Sequence, residues 1–316
     1  MKNIEIVGYG MAKAGKVVTN DDLAKIVDTS HEWISTRTGI VERRFCDENE
    51  SANTLAVKAA SEALKSSGIA ADQIAVCICA TVSSEYVTPS MACVVQRNLG
   101  LREDIPVLDV NAACSGFIYG LEVARGLLNG NGGEYGLVVG CEQLSRLLDM
   151  TDRSTCVLFG DGAGAVIVRL SEDAPYEKVL GARGGYEITV EGAGPVVSHV
   201  HMEGQEVFKF ATATIPKCIE ELQGKSGVSL DDVDQIICHQ ANARIIDHCI
   251  RKMKADSSKF YKNMDKYGNT SAASIPMALC EMVSEGKVIP GNKLILVGFG
   301  GGLTWAGVLI RFGGTK

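Results

Sequence analysis

One cysteine, Cys114, lies where a strand-like run passes into a helix-like run, in the segment VLDVNAACSGFIYGLEVARGLL at residues 107–128. A thiolate is a strong nucleophile, and the free N–H groups and positive dipole end of a helix N-terminus lower the pKa of a nearby thiol. Small residues flank Cys114 and leave room for a substrate. The position favours a nucleophile. Plain packing is the alternative, because free cysteine is among the most buried residue types.

A nucleophilic thiol needs a base or a hydrogen-bond donor beside it, and the chain has five histidines. His239 follows the strand-like run QIIC and opens a segment of helical period, so it occupies the same kind of strand end as Cys114. A histidine packed in the core is the alternative for His239. His199 and His201 form an H-x-H pair without neighbouring carboxylate or cysteine ligands, so no metal site is expected there.

Asn269 and a run of glycines could complete such a site. Asn269 lies in DKYGNTSAASIP (265–276), ahead of small residues, and GFGGGLTW (298–305) is a glycine turn between two strand-like runs. Glycines let a backbone N–H approach an oxyanion closely. A turn or cap role for Asn269, and a simple turn for the glycines, are the alternatives. The segment GDGAG (160–164) lacks the full GxGxxG pattern and its strand-before, helix-after context, so we do not expect NAD binding.

Short apolar runs that alternate with helical patterns must position these residues. That alternation predicts an α/β fold with buried strands. One helix is expected over TLAVKAASEALKSSG (54–68), with Gly68 as its stop. The strand-like runs are QIAVCICAT (73–81), VLDV (107–110), YGLVVG (135–140), AVIVRL (165–170), QIICHQ (235–240) and KLILVGF (293–299).

The chain also repeats itself weakly. Two pairs of segments resemble each other in the same order: residues 65–80 with 225–241, and residues 159–170 with 299–312. Such a repeat predicts two halves of similar fold. We place the boundary at the polar, proline-containing LSEDAP, which gives an N-terminal half (1–170) with the cysteine and a C-terminal half (171–316) with the histidine and asparagine.

Composition limits the partners. The 316 residues carry a formal net charge of −7 and are 46% hydrophobic, so no broad basic field exists to hold nucleic acid or an anionic membrane. The N-terminus lacks the apolar core of a signal peptide, and no apolar run reaches about 18 residues, so we expect a soluble, cytoplasmic protein. The eleven cysteines are scattered through apolar runs without a CxxC pair, so neither disulfides nor structural zinc are expected.

Four motifs occur together and in order: NAACSGFIYGL, HQANARI, YGNTSAAS and GFGGGLTW. With DTSHEWISTRTGIVERR (28–44), PSMACVVQRNLG (89–100), FGDGAGA (159–165) and MEGQEVFKF (202–210), the chain resembles β-ketoacyl-acyl-carrier-protein synthase III over nearly its whole length. These condensing enzymes initiate type II fatty-acid synthesis. The resemblance implies a thiolase-like αβαβα sandwich of two similar halves, with the site between them and usually a homodimer.

The resemblance also implies a mechanism. Cys114 takes the acyl group of an acyl-CoA as a thioester, and the backbone N–H groups of Cys114 and Gly301 form the oxyanion hole. Malonyl-acyl carrier protein then loses CO2 while His239 and Asn269 hydrogen-bond the thioester oxygen, and the carbanion attacks the acyl-cysteine to give 3-oxoacyl-acyl carrier protein. Two neutral donors stabilise the developing charge without a metal. No cofactor is implied, since coenzyme A enters as a thioester substrate.

By the same resemblance, Trp33 lies against the adenine of coenzyme A, Arg153 lies on the other side, and Arg37 points toward the phosphates. An aromatic base stacks well on indole and guanidinium. Packing of a helix is the alternative for Trp33. The remaining residues implied for the coenzyme A site are Thr29, Met202, Phe208 and Asn242, the last three in the pantetheine channel.

An acidic carrier protein would meet a local basic patch on this acidic chain. The helix after His239 provides Arg244 and Arg251 along one stripe with Lys252 beside it, and the family positions add Lys209. A solvated helix face is the alternative. Thr88, just before the proline of TPSMAC, would reach across the dimer and close the acyl pocket of the other subunit. A threonine is small there, which favours longer or branched primers, unless Tyr86 or another neighbour fills the space.

Two residues depart from the family pattern: Cys238 replaces a common proline before His239, and Ser154 replaces a common glycine after Arg153. Relatives on this fold make chalcones, alkylquinolones or hydroxymethylglutaryl-CoA, so a condensing enzyme of secondary metabolism is an alternative. A papain-like hydrolase would carry its cysteine near the N-terminus in a C-G-x-C-W setting, which is missing here. A non-catalytic scaffold would have no need of all three reacting residues.

Overall fold

A computed structural model describes residues 1–191 and 198–314. In chain order its strands are β1 (Asn3–Lys13), β2 (Lys16–Thr19), β3 (Glu42–Phe45), β4 (Ile74–Ala80), β5 (Val107–Val110), β6 (Tyr135–Glu142), β7 (Gly162–Ser171), β8 (Tyr176–Ala182), β9 (Ile188–Thr189), β10 (His201–Met202), β11 (Gln235–Cys238), β12 (Lys293–Gly300) and β13 (Thr304–Phe312). The α-helices are α1 (Asn20–Leu23), α2 (His31–Thr38), α3 (Ala52–Ser67), α4 (Met91–Leu99), α5 (Gly116–Asn131), α6 (Gly204–Ser226), α7 (Ala243–Met253), α8 (Met264–Tyr267) and α9 (Ser274–Ser284).

The expected secondary structure is confirmed. Each of the six strand-like runs of the sequence is a strand. The helix expected over 54–68 is α3, and it ends at Gly68 in the left-handed conformation that favours glycine. The GDGAG segment leads directly into β7, and the glycine turn at 301–303 joins the antiparallel strands β12 and β13.

One mixed sheet runs through the molecule, in the strand order β11-β12-β13-β1-β7-β6-β4-β5, with β8 paired to β13. β4 is parallel to both β5 and β6, whereas β7 is antiparallel to β6 and β1. β1 is parallel to β13, β12 is antiparallel to β13, and β11 is parallel to β12, so β11 and β12 run opposite to β5 along the sheet. The loops after β5, β11 and β12 carry the cysteine, the histidine and the glycines.

Helices form layers on this sheet. Helix α3 packs on β1, β6 and β7, and α6 packs on β8, β12 and β13. Helix α5 contacts β4 and β6 as well as β12 and β13, and α9 contacts β1 and β7 as well as β11. Their buried side chains, such as Phe117, Leu121 and Leu279, belong to one apolar cluster with strand residues from both ends of the chain. The central helices α5 and α9 therefore give the α/β layering of the thiolase fold.

A buried carboxylate joins the strands at the middle of the sheet. Glu5 on β1 is only 2% exposed. It accepts hydrogen bonds from Arg169 on β7 (Nη2, 2.6 Å) and from Arg311 on β13 (Nε, 2.7 Å). Burial raises the pKa of Glu5, but the hydrogen bonds and charges of the two arginines outweigh burial and lower it. These arginines are the two that align in the repeated motifs of the sequence.

We expect Glu5→Gln to lower the free energy of unfolding at neutral pH by about 1–3 kcal/mol, because hydrogen bonds to charged groups at a buried site are lost. The folded-state pKa of Glu5 lies below its ordinary 4.5. The ionised Glu5 therefore stabilises the fold fully above pH 4.5, the ordinary pKa of glutamate. This stabilisation is lost as the pH falls through the lower folded-state pKa. Urea unfolding of both proteins from pH 7 to pH 3 should show the difference shrinking with falling pH.

Glu172→Gln is the matched control, since that carboxylate is 72% exposed and pairs with the exposed Lys2. Exposed pairs contribute about 0–1 kcal/mol. A difference between wild type and Glu5→Gln no larger than that of the control would contradict the role of Glu5.

Candidate active site

A cavity of about 250 Å³ opens beside the ends of β5, β11 and β12. Its wall is mostly apolar, with Phe159, Val200 and Phe299 among its members. The structure brings many of the sequence-predicted residues into this one cavity. They are Cys114, Met202, Phe208, His239, Asn242, Asn269 and Gly301.

Cys114 lies in a 3₁₀ turn (Ala113–Ser115) between β5 and the N-terminus of α5, as the sequence predicts. Ala113 before it has φ +43°, an uncommon value for a residue other than glycine. Gly300 at the end of β12 lies against the cysteine. A Cβ placed on Gly300 would be 2.9 Å from Cys114 Sγ and 2.8 Å from its Cβ. Only glycine at this position leaves room for the thiol.

The pKa of Cys114 differs from the sequence expectation. Burial raises the pKa of the thiol to about 12, although a hydrogen bond from Ser271 lowers it; the charge of Glu142 raises it further. The helix N-terminus was expected to lower the pKa. Desolvation of a thiolate in an apolar cavity outweighs that effect. Cys114 is therefore an uncharged thiol at neutral pH.

His239 follows β11 and is 1% exposed. Its backbone N–H donates to Val297 O (2.7 Å), and its ring Nδ1 hydrogen-bonds Ser274 Oγ (2.7 Å) at the start of α9. The ring contacts Phe299 edge to face, with 5.2 Å between centroids. Burial lowers the pKa of His239 to about 3. His239 is thus a neutral imidazole whose Nε2 is left for a bound molecule.

Asn269 is anchored by its backbone and by its side-chain oxygen. Its N–H donates to Leu158 O (2.8 Å), its carbonyl accepts from Gly160 N (3.0 Å), and its Oδ1 accepts from Ser271 N (2.9 Å). With Oδ1 engaged, the Nδ2 group is the part of the side chain free to donate. Asn269 and His239 therefore present two neutral N–H donors to the cavity that holds Cys114.

The sequence analysis did not identify Arg43, whose side chain holds the segment to which Asn269 is bonded. Arg43 on β3 is fully buried. Its guanidinium donates to the carbonyls of Val157 (2.8 Å) and Val18 (3.1 Å) and to Asn20 Oδ1 (2.8 Å). Residues 157–160 are the segment to which Asn269 bonds. In the sequence Arg43 is one of two adjacent arginines, and no signal distinguishes it from Arg44.

Glu142 was missed as well. It is the last residue of β6 and is fully buried. It accepts hydrogen bonds from Val82 N (3.1 Å) and Ser83 Oγ (2.5 Å). Burial raises the pKa of Glu142 to about 7, although these hydrogen bonds and others from Ser271 and Thr81 lower it. In the sequence this glutamate follows an ordinary apolar strand, and no sequence pattern shows that its side chain is buried.

The residues implied for the adenine and phosphates form a second cluster outside the cavity wall. The guanidinium groups of Arg37 and Arg153 lie over the Trp33 ring, 4.6 and 5.2 Å from its centroid. Arg153 also donates to Asp28 O (2.6 Å). Asn242, which lines the cavity, donates to Arg37 O (3.1 Å) and so connects the two places.

The other implied and departing residues fall around these two places. Thr29 has a buried hydroxyl without a hydrogen-bond partner among the described atoms. Ser154 lines the cavity next to Arg153, and Cys238 is buried at the end of β11. Neither departure from the family pattern blocks the cavity.

The implied basic residues lie on adjacent helices at the protein surface. Arg244, Arg251 and Lys252 are exposed on α7, and Lys209 on α6 is exposed and paired with Glu206. An edge-to-face contact of Phe208 with His248, 6.1 Å between centroids, joins the two helices. Phe208 also lines the cavity, so this surface lies close to it.

Thr88 is exposed and lies outside the cavity wall in the described chain. Its neighbours Tyr86 and Val87 are exposed too, Val87 completely. Tyr86 therefore does not fill the cavity that holds Cys114. β5 forms one edge of the sheet, where Leu108 is 38% exposed.

Over residues 1–191 and 198–314, no three His, Cys, Asp or Glu side chains cluster in a way that would hold a metal ion. No described helix combines the length and apolar character needed to cross a bilayer.

The chain is similar to known proteins over nearly its whole length. The family model "3-Oxoacyl-[acyl-carrier-protein (ACP)] synthase III" matches residues 108–184, and the model of its C-terminal part matches residues 224–312. The β-ketoacyl-[acyl-carrier-protein] synthase III of Clostridium perfringens is 42% identical over 325 residues, which cover 98% of this chain and 100% of that protein.

Solved structures agree. The synthase III of Aquifex aeolicus is 43% identical, with a TM-score of 0.92 over 98% of this chain and 100% of that one. The synthase III of Thermus thermophilus is 38% identical, with a TM-score of 0.93 over 98% and 100%.

Proposed function

This chain belongs to the β-ketoacyl-acyl-carrier-protein synthase III family, and we propose that it condenses an acyl-CoA primer with malonyl-acyl carrier protein to give 3-oxoacyl-acyl carrier protein, CoA and CO2. One observation carries the proposal: Cys114, His239 and Asn269 line one buried cavity. The family activity is an acyl transfer by a condensing enzyme. No cofactor is needed in this scheme, because coenzyme A is part of the substrate.

In the first step Cys114 Sγ attacks the thioester carbon of acyl-CoA, and CoA leaves as the acyl-cysteine forms. The backbone N–H groups of Cys114 and Gly301 would stabilise the oxyanion of the tetrahedral intermediate. Both residues lie in the cavity wall, and the turn after Gly300 is close to the thiol. The primer is acetyl-CoA or another short or branched acyl-CoA.

In the second step malonyl-acyl carrier protein occupies the cavity and loses CO2. Nε2 of His239 and Nδ2 of Asn269 donate to the thioester oxygen as negative charge develops on it. Both donors are neutral, and their hydrogen bonds become stronger as the oxygen gains negative charge. They therefore stabilise the transition state more than the ground state. The resulting carbanion attacks the acyl-cysteine and forms the new carbon–carbon bond.

Coenzyme A would reach Cys114 through the cavity, with Met202, Phe208 and Asn242 along the pantetheine arm. The adenine would stack in the cluster of Trp33 and Arg153, near Thr29, and Arg37 would meet the phosphates. Arg37 and Arg153 both lie over the indole ring, so an entering base replaces a cation–π contact with a stacking contact.

We also propose that the chain divides near residue 170 into two halves, 1–170 and 171–316. The gap between β7, which ends at Ser171, and β8, which begins at Tyr176, supports this division, as does the shared contact of Arg169 and Arg311 with Glu5. Superposition of strands β4 and β7 on β11 and β13 should bring these repeated segments into register, and a mismatch of their order would argue against the repeat.

Mass spectrometry after incubation with a short acyl-CoA should detect one added acyl group, and Cys114→Ala should abolish it.

His239→Ala and Asn269→Ala should keep acyl transfer at least in part but decarboxylate malonyl-acyl carrier protein roughly 10²–10³-fold more slowly, the typical cost of losing one oxyanion donor. Acylation that persists in Cys114→Ala, or normal decarboxylation in both other variants, would contradict the assigned roles. A product that carries further condensations would favour the secondary-metabolism alternative.

The basic surface of α7 and Lys209 is proposed to dock the acidic carrier protein. Arg244→Glu should raise the apparent KM for malonyl-acyl carrier protein much more than that for acyl-CoA, and the salt dependence should weaken. Lys217→Glu is a matched control, because Lys217 is 71% exposed on α6 and faces a different, shallow cavity. Equal effects of Arg244→Glu on both substrates would favour a merely solvated helix face.

A homodimer is proposed through β5, which pairs with β4 on one side and forms the outer edge of the described sheet on the other; Leu108, Tyr86 and Val87 expose apolar surface there. In such a dimer Thr88 would close the acyl pocket of the other subunit. Sedimentation should give the mass of two chains.

Thr88→Phe should shift kcat/KM toward acetyl-CoA and away from four- to eight-carbon primers. A wild type that already rejects every primer longer than acetyl would contradict the open pocket.

A further inference from the structure

Thr304 is the first residue of β13, and its hydroxyl lies between the two turns that carry the proposed oxyanion donors. Its Oγ1 is 2.9 Å from the carbonyl oxygen of Ala112, two residues before Cys114, and 2.9 Å from that of Gly301. It is also 2.6 Å from Oγ of Ser115, the residue after Cys114. Thr304 therefore contacts both turns, although it lies 189 residues from Ser115 in the chain.

The two turns are packed closely together. A Cβ placed on Gly301 would be 3.4 Å from the Cβ of Ala113, and one placed on Gly298 would be 2.8 Å from Ser115 Cα. Ser115 itself is fully buried. The hydroxyl pair of Ser115 and Thr304 thus lies where the turn after β5 packs on the end of β12, and a change in either hydroxyl acts directly on this contact.

The direction of these hydrogen bonds follows from the number of protons. At 2.6 Å, one of the two hydroxyls donates to the other. If Ser115 donates to Thr304, the Thr304 proton is left for the Gly301 carbonyl, and the Ala112 carbonyl still accepts from the Ser115 N–H at 3.1 Å. This arrangement uses both hydroxyl protons and gives each carbonyl a donor. The opposite direction would leave the Gly301 carbonyl without a donor in the described part of the chain.

Backbone hydrogen bonds hold the glycine turn from the opposite side as well. Leu303 exchanges two of them with Arg183 (2.6 and 2.8 Å), next to the end of β8. These bonds fix the turn relative to β8, but they do not involve Gly301 or the turn after β5. The hydroxyl of Thr304 contacts both.

We propose that Thr304, together with Ser115, is a positioning residue for the oxyanion hole. Its hydroxyl holds the turn of Gly301 against the turn of Cys114 and so fixes the separation of their two backbone N–H groups. An oxyanion donor is most effective when it is held in place before the charge develops. Neither hydroxyl belongs to the wall of the cavity that holds Cys114, so both act through the backbone. This inference rests on the proposed acyl transfer to Cys114.

The test compares three reactions of the full-length protein. Acylation of Cys114 by the short acyl-CoA that acylates wild type fastest requires the oxyanion hole. Alkylation of Cys114 by iodoacetamide forms no oxyanion, and decarboxylation of malonyl-acyl carrier protein without a primer uses His239 and Asn269 instead. Single-turnover mass spectrometry follows the first two reactions, and release of CO2 follows the third. A change confined to acylation therefore reports on the oxyanion hole.

We expect Thr304→Val to slow acylation by about 10–10²-fold, because the two N–H groups remain but their positions are no longer fixed. Alkylation and decarboxylation should keep their wild-type rates. Thr304→Ser retains the hydroxyl and should restore acylation. Ser115→Ala should cause a smaller loss of the same kind, since the Thr304 hydroxyl still lies 2.9 Å from both carbonyls.

Thr212→Val is the matched control, because it makes the same substitution away from the two turns. Thr212 is buried, and its hydroxyl donates to Phe208 O (2.9 Å) within its own helix α6. This variant should leave the ratios of the three rates unchanged.

The outcomes separate the possible roles. Equal loss of all three reactions in Thr304→Val would mean a purely structural role and overturn the inference. Wild-type acylation in Thr304→Val, or Thr304→Ser as slow as Thr304→Val, would overturn it too. If Thr304→Val does not fold, wild-type acylation in Ser115→Ala has the same meaning. If wild type itself formed no acyl adduct at Cys114, the proposed function would fail, and this inference with it; an acylated wild type with an unaffected Thr304→Val would refute the inference alone.

Discussion

Burial determines the direction of the pKa shift of three groups in and beside the cavity, Cys114, His239 and Glu142, and the roles proposed for the site depend on it. The same apolar environment raises the pKa of Cys114 and Glu142 and lowers that of His239. In each case the neutral form is favoured, since a low dielectric penalises charge. Burial therefore disfavours a resting thiolate–imidazolium pair and favours an uncharged thiol beside an uncharged imidazole.

Close backbone packing keeps these neutral groups in place. Gly300 leaves room for the thiol, Ser274 fixes the ring of His239, and Asn269 is bonded on both sides to the segment 157–160. That segment is held in turn by the buried guanidinium of Arg43. Each group therefore has few alternative positions, which matters because a donor that must reorganise during the reaction stabilises the transition state less.

The sequence predicts the strands well and the support of the site poorly, for physical reasons. Short apolar runs such as QIIC and KLILVGF predict buried strands. The motifs around Cys114 and His239 follow such strands, and α/β folds commonly bind substrates at strand ends. Arg43 and Glu142 carry no comparable pattern. Arg43 bonds Val157, and Glu142 bonds Val82 and Ser83, partners that are distant in the sequence and that only the folded structure brings together.

The pKa of Cys114 illustrates the same limit. A helix N-terminus is visible in the sequence, and its dipole favours a thiolate by roughly 0.3–1 kcal/mol at an exposed site. Burial is set by residues from β12 and the loop after α8, and it shifts the pKa in the opposite direction. The sequence places Cys114 at a helix N-terminus, as the structure does, and from this predicts a lowered pKa. The pKa is raised instead, because desolvation by distant parts of the chain is the larger effect.

Neutral donors also explain how one cavity could serve both proposed steps. An imidazolium beside Cys114 would activate the thiol, but an unpaired buried charge costs several kcal/mol before any substrate binds. A neutral His239 and Asn269 avoid that cost in the empty cavity, and their hydrogen bonds strengthen only when charge develops on a substrate oxygen. The stabilisation then lowers the barrier instead of tightening the ground state.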